Sequence, residues 1–284
     1  LALRLSSGCC MALLGIGPTT HDLNALTEAL AGRSRASGQI CVYGMDVSHK
    51  PQGRRGIATV GVHAPLFDHL SVTDNILFPL RATGLLSPAE SNRRRDEVLA
   101  LTGLDAVRTF LPPALSTEQA FRAALARALI TSPDLLVLNQ PLKGMPPQAA
   151  KRSLAFLERL RQAIGLTSLF LTSDRTEAFM AANTIGVLDQ GHLLQVADAP
   201  TLLNRPATPA VALALGDANI LTGKVLRLDD DTAELRLPSG ETVEAMADGD
   251  LAEHDLASIC ILPDRLSVLL PRQMEADNAA EAGD

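Results

Sequence analysis

The chain has 284 residues, 46% of them apolar, and carries a formal net charge of −7. That length accommodates two domains and a sizeable core. No run of about 18 uncharged apolar residues occurs, which excludes a membrane-spanning helix, and an acidic balance without a dense basic stripe excludes nucleic acid as the main partner.

Cys9, Cys10, Cys41 and Cys260 fall in apolar, strand-like segments without metal-ligand spacing, so buried, reduced thiols and no metal site are expected. The chain opens on Leu1 with no secretory or transit signal, and residues upstream of Leu1 are expected.

CCMALLGIG, residues 9 to 17, predicts a strand running into a glycine turn, and Asp22 to Ala31 a helix closed by Gly32. Strand, glycine turn and helix together are the setting of a phosphate-binding loop. There backbone N–H groups and a helix N-terminus cradle phosphates while a lysine reaches the β- and γ-phosphates. An ordinary capped loop accounts for the same residues. Residues 38 to 62 predict two strands joined by a basic loop, and Ser87 to Glu90 is a capping box opening a helix that runs to about Gly103. LSTEQAFRAALARAL, Leu115 to Leu129, reads as a loop entering an amphipathic helix, with Ser116 as N-cap and Gln119 at N3. The apolar run Leu135 to Leu138, bounded by Pro133 and Pro141, is a short buried parallel strand. Residues 147 to 164 predict a helix and Thr167 to Thr172 a strand. Ser173 then caps a helix with Glu177 in its first turn, and Ile185 to Pro200 forms a hairpin. From about Ala218 the texture changes to short alternating segments: Ile220 to Leu228, Thr232 to Leu237, Glu241 to Met246, Ala257 to Leu262 and Leu266 to Leu270. That is a small β-barrel pattern, followed by an acidic, alanine-rich tail read as disordered.

In this order the pieces resemble the ATP-binding cassette (ABC) ATPases over nearly the whole chain. GPTTHDLNALTEALAG, Gly17 to Gly32, stands where that family reads GPSGSGKTTLL…AG. Registered on Gly17, Asp22 replaces the last loop glycine, Leu23 the lysine and Asn24 the Mg²⁺-binding hydroxyl. Registered on Gly15, His21 takes the lysine position and Asp22 that of the hydroxyl. Both registers stay open, and neither supplies a lysine, because none precedes Lys50. The relic nucleotide site implied by the resemblance comprises Gly15, Gly17, Thr19, Thr20 and Asn24, with Ser116 and Gln119 from the signature loop. The glutamine that meets Mg²⁺ and water in the family falls on Val62, and His63 beside it reads as a surface residue. Ala64 to Leu85 is close to the family's "ALFPHLTVxENIxFPLRxxG". This makes Phe67, Leu70 and Phe78 permease-facing candidates, although a core role suits them equally. The signature glycines are Thr117 and Glu118, the strand-end Asp-Glu pair is Asn139-Gln140, and the histidine contacting the γ-phosphate is Ser173. The last segments are similar to the OB-like domain of importer ATPases.

The resemblance implies an α/β fold: a RecA-like P-loop ABC core in residues 1–215, with a helical subdomain at about 75–130. A small all-β OB-like (TOBE-type) barrel would follow at 216–272 and an acidic tail at 273–284. Lost charge-assisted contacts cost about 1.5–3 kcal/mol each, and a missing general base costs roughly 10²–10⁴ in rate. With Leu23, Val62, Asn139, Gln140 and Ser173 at the chemical positions, and carboxylates at Asp22 and Glu118, the expectation is a degenerate subunit. It would not hydrolyse ATP and would use no cofactor and no metal. It would act as a structural or regulatory partner of integral-membrane permease subunits, as a homodimer or beside a competent ABC ATPase, on the cytoplasmic face of the membrane. Two alternatives stand beside this: an active ATP-binding subunit energising solute import, and a ligand-sensing regulatory module.

Overall fold

The computed structural model describes residues 2–17, 20–84, 86–216, 218–229, 232–247 and 251–261, with residues 20 and 21 by their backbone alone. The chain divides into two compact units, Leu1–Thr201 and Leu202–Asp284. The first opens with β1 (Cys10–Gly15), α1 (Thr20–Ala31), β2 (Cys41–Val42), β3 (Met45–Asp46) and β4 (Ile57–Gly61). Three helices follow, α2 (Val72–Thr83), α3 (Pro88–Thr102) and α4 (Thr117–Leu129). The chain then alternates through β5 (Leu135–Asn139), α5 (Pro147–Ile164), β6 (Ser168–Thr172), α6 (Arg175–Ala181), β7 (Thr184–Asp189) and β8 (His192–Asp198). Six of these strands form one sheet in the order β4-β5-β6-β1-β7-β8. All its pairings are parallel except that of β7 with β8. Strands buried along their length, such as LLVLN and SLFLT, are what a sheet of this kind requires. Leu13, Leu23, Val137, Leu169 and Leu171 make its core.

Helices α2 to α4 pack around a second core of Val72, Ile76, Leu99, Leu104, Ala126 and Ile130. Their ends are chemically marked. Ser71 accepts from the Asp74 N–H, Ser87 and Ser116 each form a complete capping box, and Gly84 and Gly103 close α2 and α3 in the left-handed conformation. The buried Asn75 ties the preceding loop to α2: its Oδ1 accepts from Phe67 N–H at 2.8 Å and its Nδ2 donates to the carbonyls of Phe67 and Leu70.

Past α7 (Ala199–Asn204), the second unit holds α8 (Pro209–Leu215), β9 (Asn219–Asp229), β10 (Thr232–Arg236), β11 (Thr242–Met246) and β12 (Leu256–Ile261). These strands form an antiparallel sheet ordered β11-β10-β9-β12 around Val225, Ala233, Leu235 and Ile259. An α/β core followed by an antiparallel β sheet is the fold class the sequence implies. The segment Leu266 to Leu270 and the acidic tail lie outside the described residues. Among the described residues no helix is long and apolar enough to cross a membrane.

Three local expectations are corrected. Residues 41 to 46 are a miniature hairpin rather than one strand, because Tyr43 and Gly44 both take positive φ (48° and 76°), the two-residue turn that matches strand twist. The cysteines are free but not buried: Cys9 and Cys41 are exposed and Cys10 and Cys260 half-buried, lying around the start of β1, in the small hairpin and near the end of β12. The cap of α6 is Asp174, whose carboxylate accepts from the Glu177 N–H, and not Ser173.

Candidate functional site

The strand register aligns four strand ends. Gly61 pairs with Asn139, Asn139 with Leu171, and Leu14 with Thr172, so Gly15, Gly61, Asn139 and Thr172 lie along one carboxyl edge of the sheet. Open α/β sheets bind ligands outside this edge. The residues after each strand, Gly17, Val62, Gln140 and Ser173, therefore share a locality although up to 156 positions separate them in sequence.

The approach of β4 to β5 at this edge depends on one glycine. A Cβ on Gly61 (φ +137°) would run into the carbonyl of Asn139. After β1 the chain turns at Gly17 (φ +69°) into α1. Thr19 lies outside the described residues, as do the side chains of Thr20 and His21. Leu23 points into the sheet core and is 0% exposed. Asn24 meets the end of β5, its Oδ1 accepting from Asn139 Nδ2 at 2.8 Å. Asn24, which takes the hydroxyl position in the register on Gly17, thus faces the strand-end amide.

Asn139 and Gln140 are 1% and 5% exposed. Two of their polar atoms, Asn139 Oδ1 and Gln140 Nε2, are buried without a hydrogen-bond partner. Buried polar groups are nearly always paired, so an orphan donor and an orphan acceptor on adjacent residues need explaining. Gln140 also takes a left-handed backbone (φ 47°), an uncommon state for a residue with a side chain and one that clusters at functional sites. An amide carbonyl is a hard oxygen suited to a hydrated divalent cation, and an amide N–H suits a phosphate oxygen. The residues present therefore fit Mg²⁺ and a phosphoryl group through dipoles rather than full charges. At the neighbouring strand end, Thr172 Oγ1 donates to Glu177 at 2.6 Å. Burial, then the adjacent Asp174, push the Glu177 carboxyl above its usual range.

Both carboxylates expected to repel an anionic ligand are otherwise engaged. Asp22 is turned toward the β7–β8 hairpin, where it accepts from the Gly191 N–H at 2.9 Å. Glu118 is held by Arg152 of α5, whose Nε and Nη2 both reach the carboxylate (2.5–3.1 Å), and this guanidinium holds its pKa below the usual value. The nearby Ser116 and Gln119 cap each other's backbone, with Ser116 N–H donating to Gln119 Oε1 at 2.9 Å. The last predicted group lies on the α2 side. Phe78 is 44% exposed and stacks on Phe67 with ring centroids 4.5 Å apart, while half-buried Leu70 sits in the loop that Asn75 anchors. Val62 is 46% exposed and His63 is exposed. Three contributors escaped the sequence reading: Arg152, Lys143 and Glu177 as a buried-side carboxyl. The first two had no motif to flag them, and the third looked like an ordinary first-turn acid.

A family model described as ABC transporter matches residues 2–143. The spermidine/putrescine import ATP-binding protein of Pseudomonas aeruginosa is 32% identical over 258 residues, 89% of this chain and 70% of the relative. The sulfate/thiosulfate import ATP-binding protein of Methylococcus capsulatus is 38% identical over 227 residues, 78% of this chain and 65% of that protein. An Fe(3+) ions import ATP-binding protein of Rhizobium meliloti is 31% identical over 238 residues, 84% of this chain and 67% of its own length. The chain thus spans about two thirds of the relatives it matches. These findings overturn the expectation of a subunit that neither hydrolyses ATP nor uses a cofactor, since its relatives are named as import ATP-binding proteins. The physical basis of that expectation weakens as well, because Asp22 and Glu118 are drawn away by partners the sequence did not show.

Proposed function

The chain belongs to the ABC transporter family of ATP-binding proteins, and from that premise we propose that it is the ATP-binding subunit energising solute import through an integral-membrane permease. The observation that carries this reading is the pair of orphan amide atoms, Asn139 Oδ1 and Gln140 Nε2, at the carboxyl edge opposite Asn24. The nucleotide would lie along Gly15, Gly17, Thr19, Thr20 and Asn24. Ser116 and Gln119 would meet it from a second subunit, which is either an identical chain or a competent ABC ATPase. Phe67, Leu70 and Phe78 form the permease-facing surface, placing the subunit on the cytoplasmic face of the membrane.

Mg²⁺, when bound, would supply positive charge at the terminal phosphates. Asn24 and Asn139 would hold it, Asn139 through its unpartnered Oδ1. Gln140 cannot take a proton at neutral pH, so its role is that of a positioning residue: it orients the attacking water or a phosphate oxygen by hydrogen bonding, as a glutamine does in other phosphoryl-transfer sites. Turnover is accordingly slower than a glutamate at 140 would give. The test is thermal unfolding with and without Mg²⁺-ATP, followed by ATPase assay of the chain co-purified with its permease. A ligand at about 100 times its Kd stabilises by about 2.7 kcal/mol. No thermal shift in the isolated chain together with no turnover in the complex would refute the proposal.

A further inference from the structure

Phosphoryl transfer needs a cation on the terminal phosphate, and the position that should provide it, Leu23, is locked in the sheet core. The cations around the carboxyl edge are mostly engaged. Arg127 donates to the carbonyls of Ala64 and Pro65 beneath the Phe67 ring. Arg152 is paired with Glu118.

Lys143 differs. Its side chain makes no hydrogen bond or ion pair among the described residues. It sits on a tight turn anchored to Gln140, its own N–H donating to the Gln140 carbonyl at 3.2 Å. A cavity of about 330 Å³ opens between the loop after β4, the α4 face at Ala120 and Phe121, and this turn. Gln140 and Lys143 both line it, and Asp68 is the one carboxylate in its wall. Gln140, a residue of that wall, keeps a buried Nε2 without a hydrogen-bond partner. A free ammonium and an unsatisfied amide donor on one rigid turn are the complement of a phosphoryl oxyanion.

From this placement we infer that the cavity receives a phosphoryl oxyanion and that Lys143 supplies the positive charge the loop at Gly15–Asp22 lacks. Lys143 is then a residue that discriminates triphosphate from diphosphate. The inference rests on the proposed function for the nucleotide as the source of that oxyanion; free inorganic phosphate offers the same chemistry.

Calorimetric titration of the full chain with Mg²⁺-ATP, Mg²⁺-ADP and inorganic phosphate separates the sources. Wild type should prefer ATP to ADP. Lys143→Gln should weaken ATP about tenfold, the loss of one charge-assisted contact, while ADP changes less than about twofold, and Lys143→Arg should retain most of the preference. Because Lys143 is exposed on a turn, unfolding curves of the variants should coincide with wild type and confirm that binding alone is read. Equal effects on ATP and ADP, or none on either, overturn the inference and leave ATP binding standing. If wild type binds phosphate, in a manner weakened by Lys143→Gln, but no nucleotide, the oxyanion site stands and the ATP reading falls. Binding of neither phosphate nor nucleotide overturns the inference, and the ATP reading falls with it if the permease complex also shows no turnover.

Discussion

The two sides of the nucleotide region depart from the family pattern in opposite ways. On the signature side, Glu118 brings a charge but Arg152 sits across from it, and Ser116 and Gln119 satisfy one another. That region is closed: its unusual charge has its partner within the chain. At the carboxyl edge of β5 the substitutions remove charge, and Asn139 and Gln140 keep buried atoms with nothing to bond. That region is open. A polar network satisfied internally reports stability, while one left half-satisfied points outward to a ligand. The open edge is therefore where nucleotide chemistry should be sought, and the closed one where a substitution should act by unmasking a paired group.

The contrast can be broken most severely at Gly61. Ala at this position places a methyl group in the Asn139 carbonyl at φ +137°, so Gly61→Ala should cost about 3 kcal/mol in urea unfolding. A cost below about 1 kcal/mol would mean that the strand ends are less tightly apposed than described. Next comes Gln140→Glu. Supplying a proton acceptor should raise turnover of the permease complex about 10²-fold, while loss of the Nε2 donor should weaken ATP binding. Unchanged turnover would remove Gln140 from the vicinity of the attacking water. Asn24→Ala strips the partner from the buried Asn139 Nδ2, an expected loss of about 1–3 kcal/mol. It should also abolish the Mg²⁺ dependence of the ATP thermal shift, which an Asn24 of purely structural role would leave intact.

How much of this was legible in the sequence depends on the range of the interaction. The capping boxes at Ser87 and Ser116 are four-residue patterns, and the structure holds both. The buried run Leu135–Leu138 became β5, since an uninterrupted apolar stretch between prolines has no other comfortable conformation. The two-register ambiguity at the glycine turn was real, because only tertiary packing shows that Leu23 faces the core and Asn24 faces β5. Asp22 and Glu118 were read as repulsive because their partners are 169 and 34 positions away, at Gly191 and Arg152, and no periodicity encodes such contacts. Lys143 was passed over for the same reason. No motif marks it, and its proposed role emerges only beside Gln140 in a shared cavity.

The smallest expected effect tests the closed side directly. Arg152 lowers the Glu118 pKa first by hydrogen bonding and then by its charge. For a carboxylate whose folded pKa is depressed, the stabilisation is present above the ordinary carboxylate range and fades as pH falls through the lowered folded value. Both partners face solvent in part, so Arg152→Ala should shift unfolding only slightly at neutral pH and not at all once Glu118 is protonated. Its larger consequence should be functional. With the guanidinium gone, Glu118 would face the nucleotide of the proposed dimer as a bare anion, and ATP-driven turnover should drop. Adding Glu118→Gln to that background should bring turnover back, because the arginine is needed only while there is a carboxylate to hold. If the double variant stays as slow as Arg152→Ala alone, Arg152 acts on the nucleotide by some route other than Glu118, and the signature side is no longer the self-contained region described here.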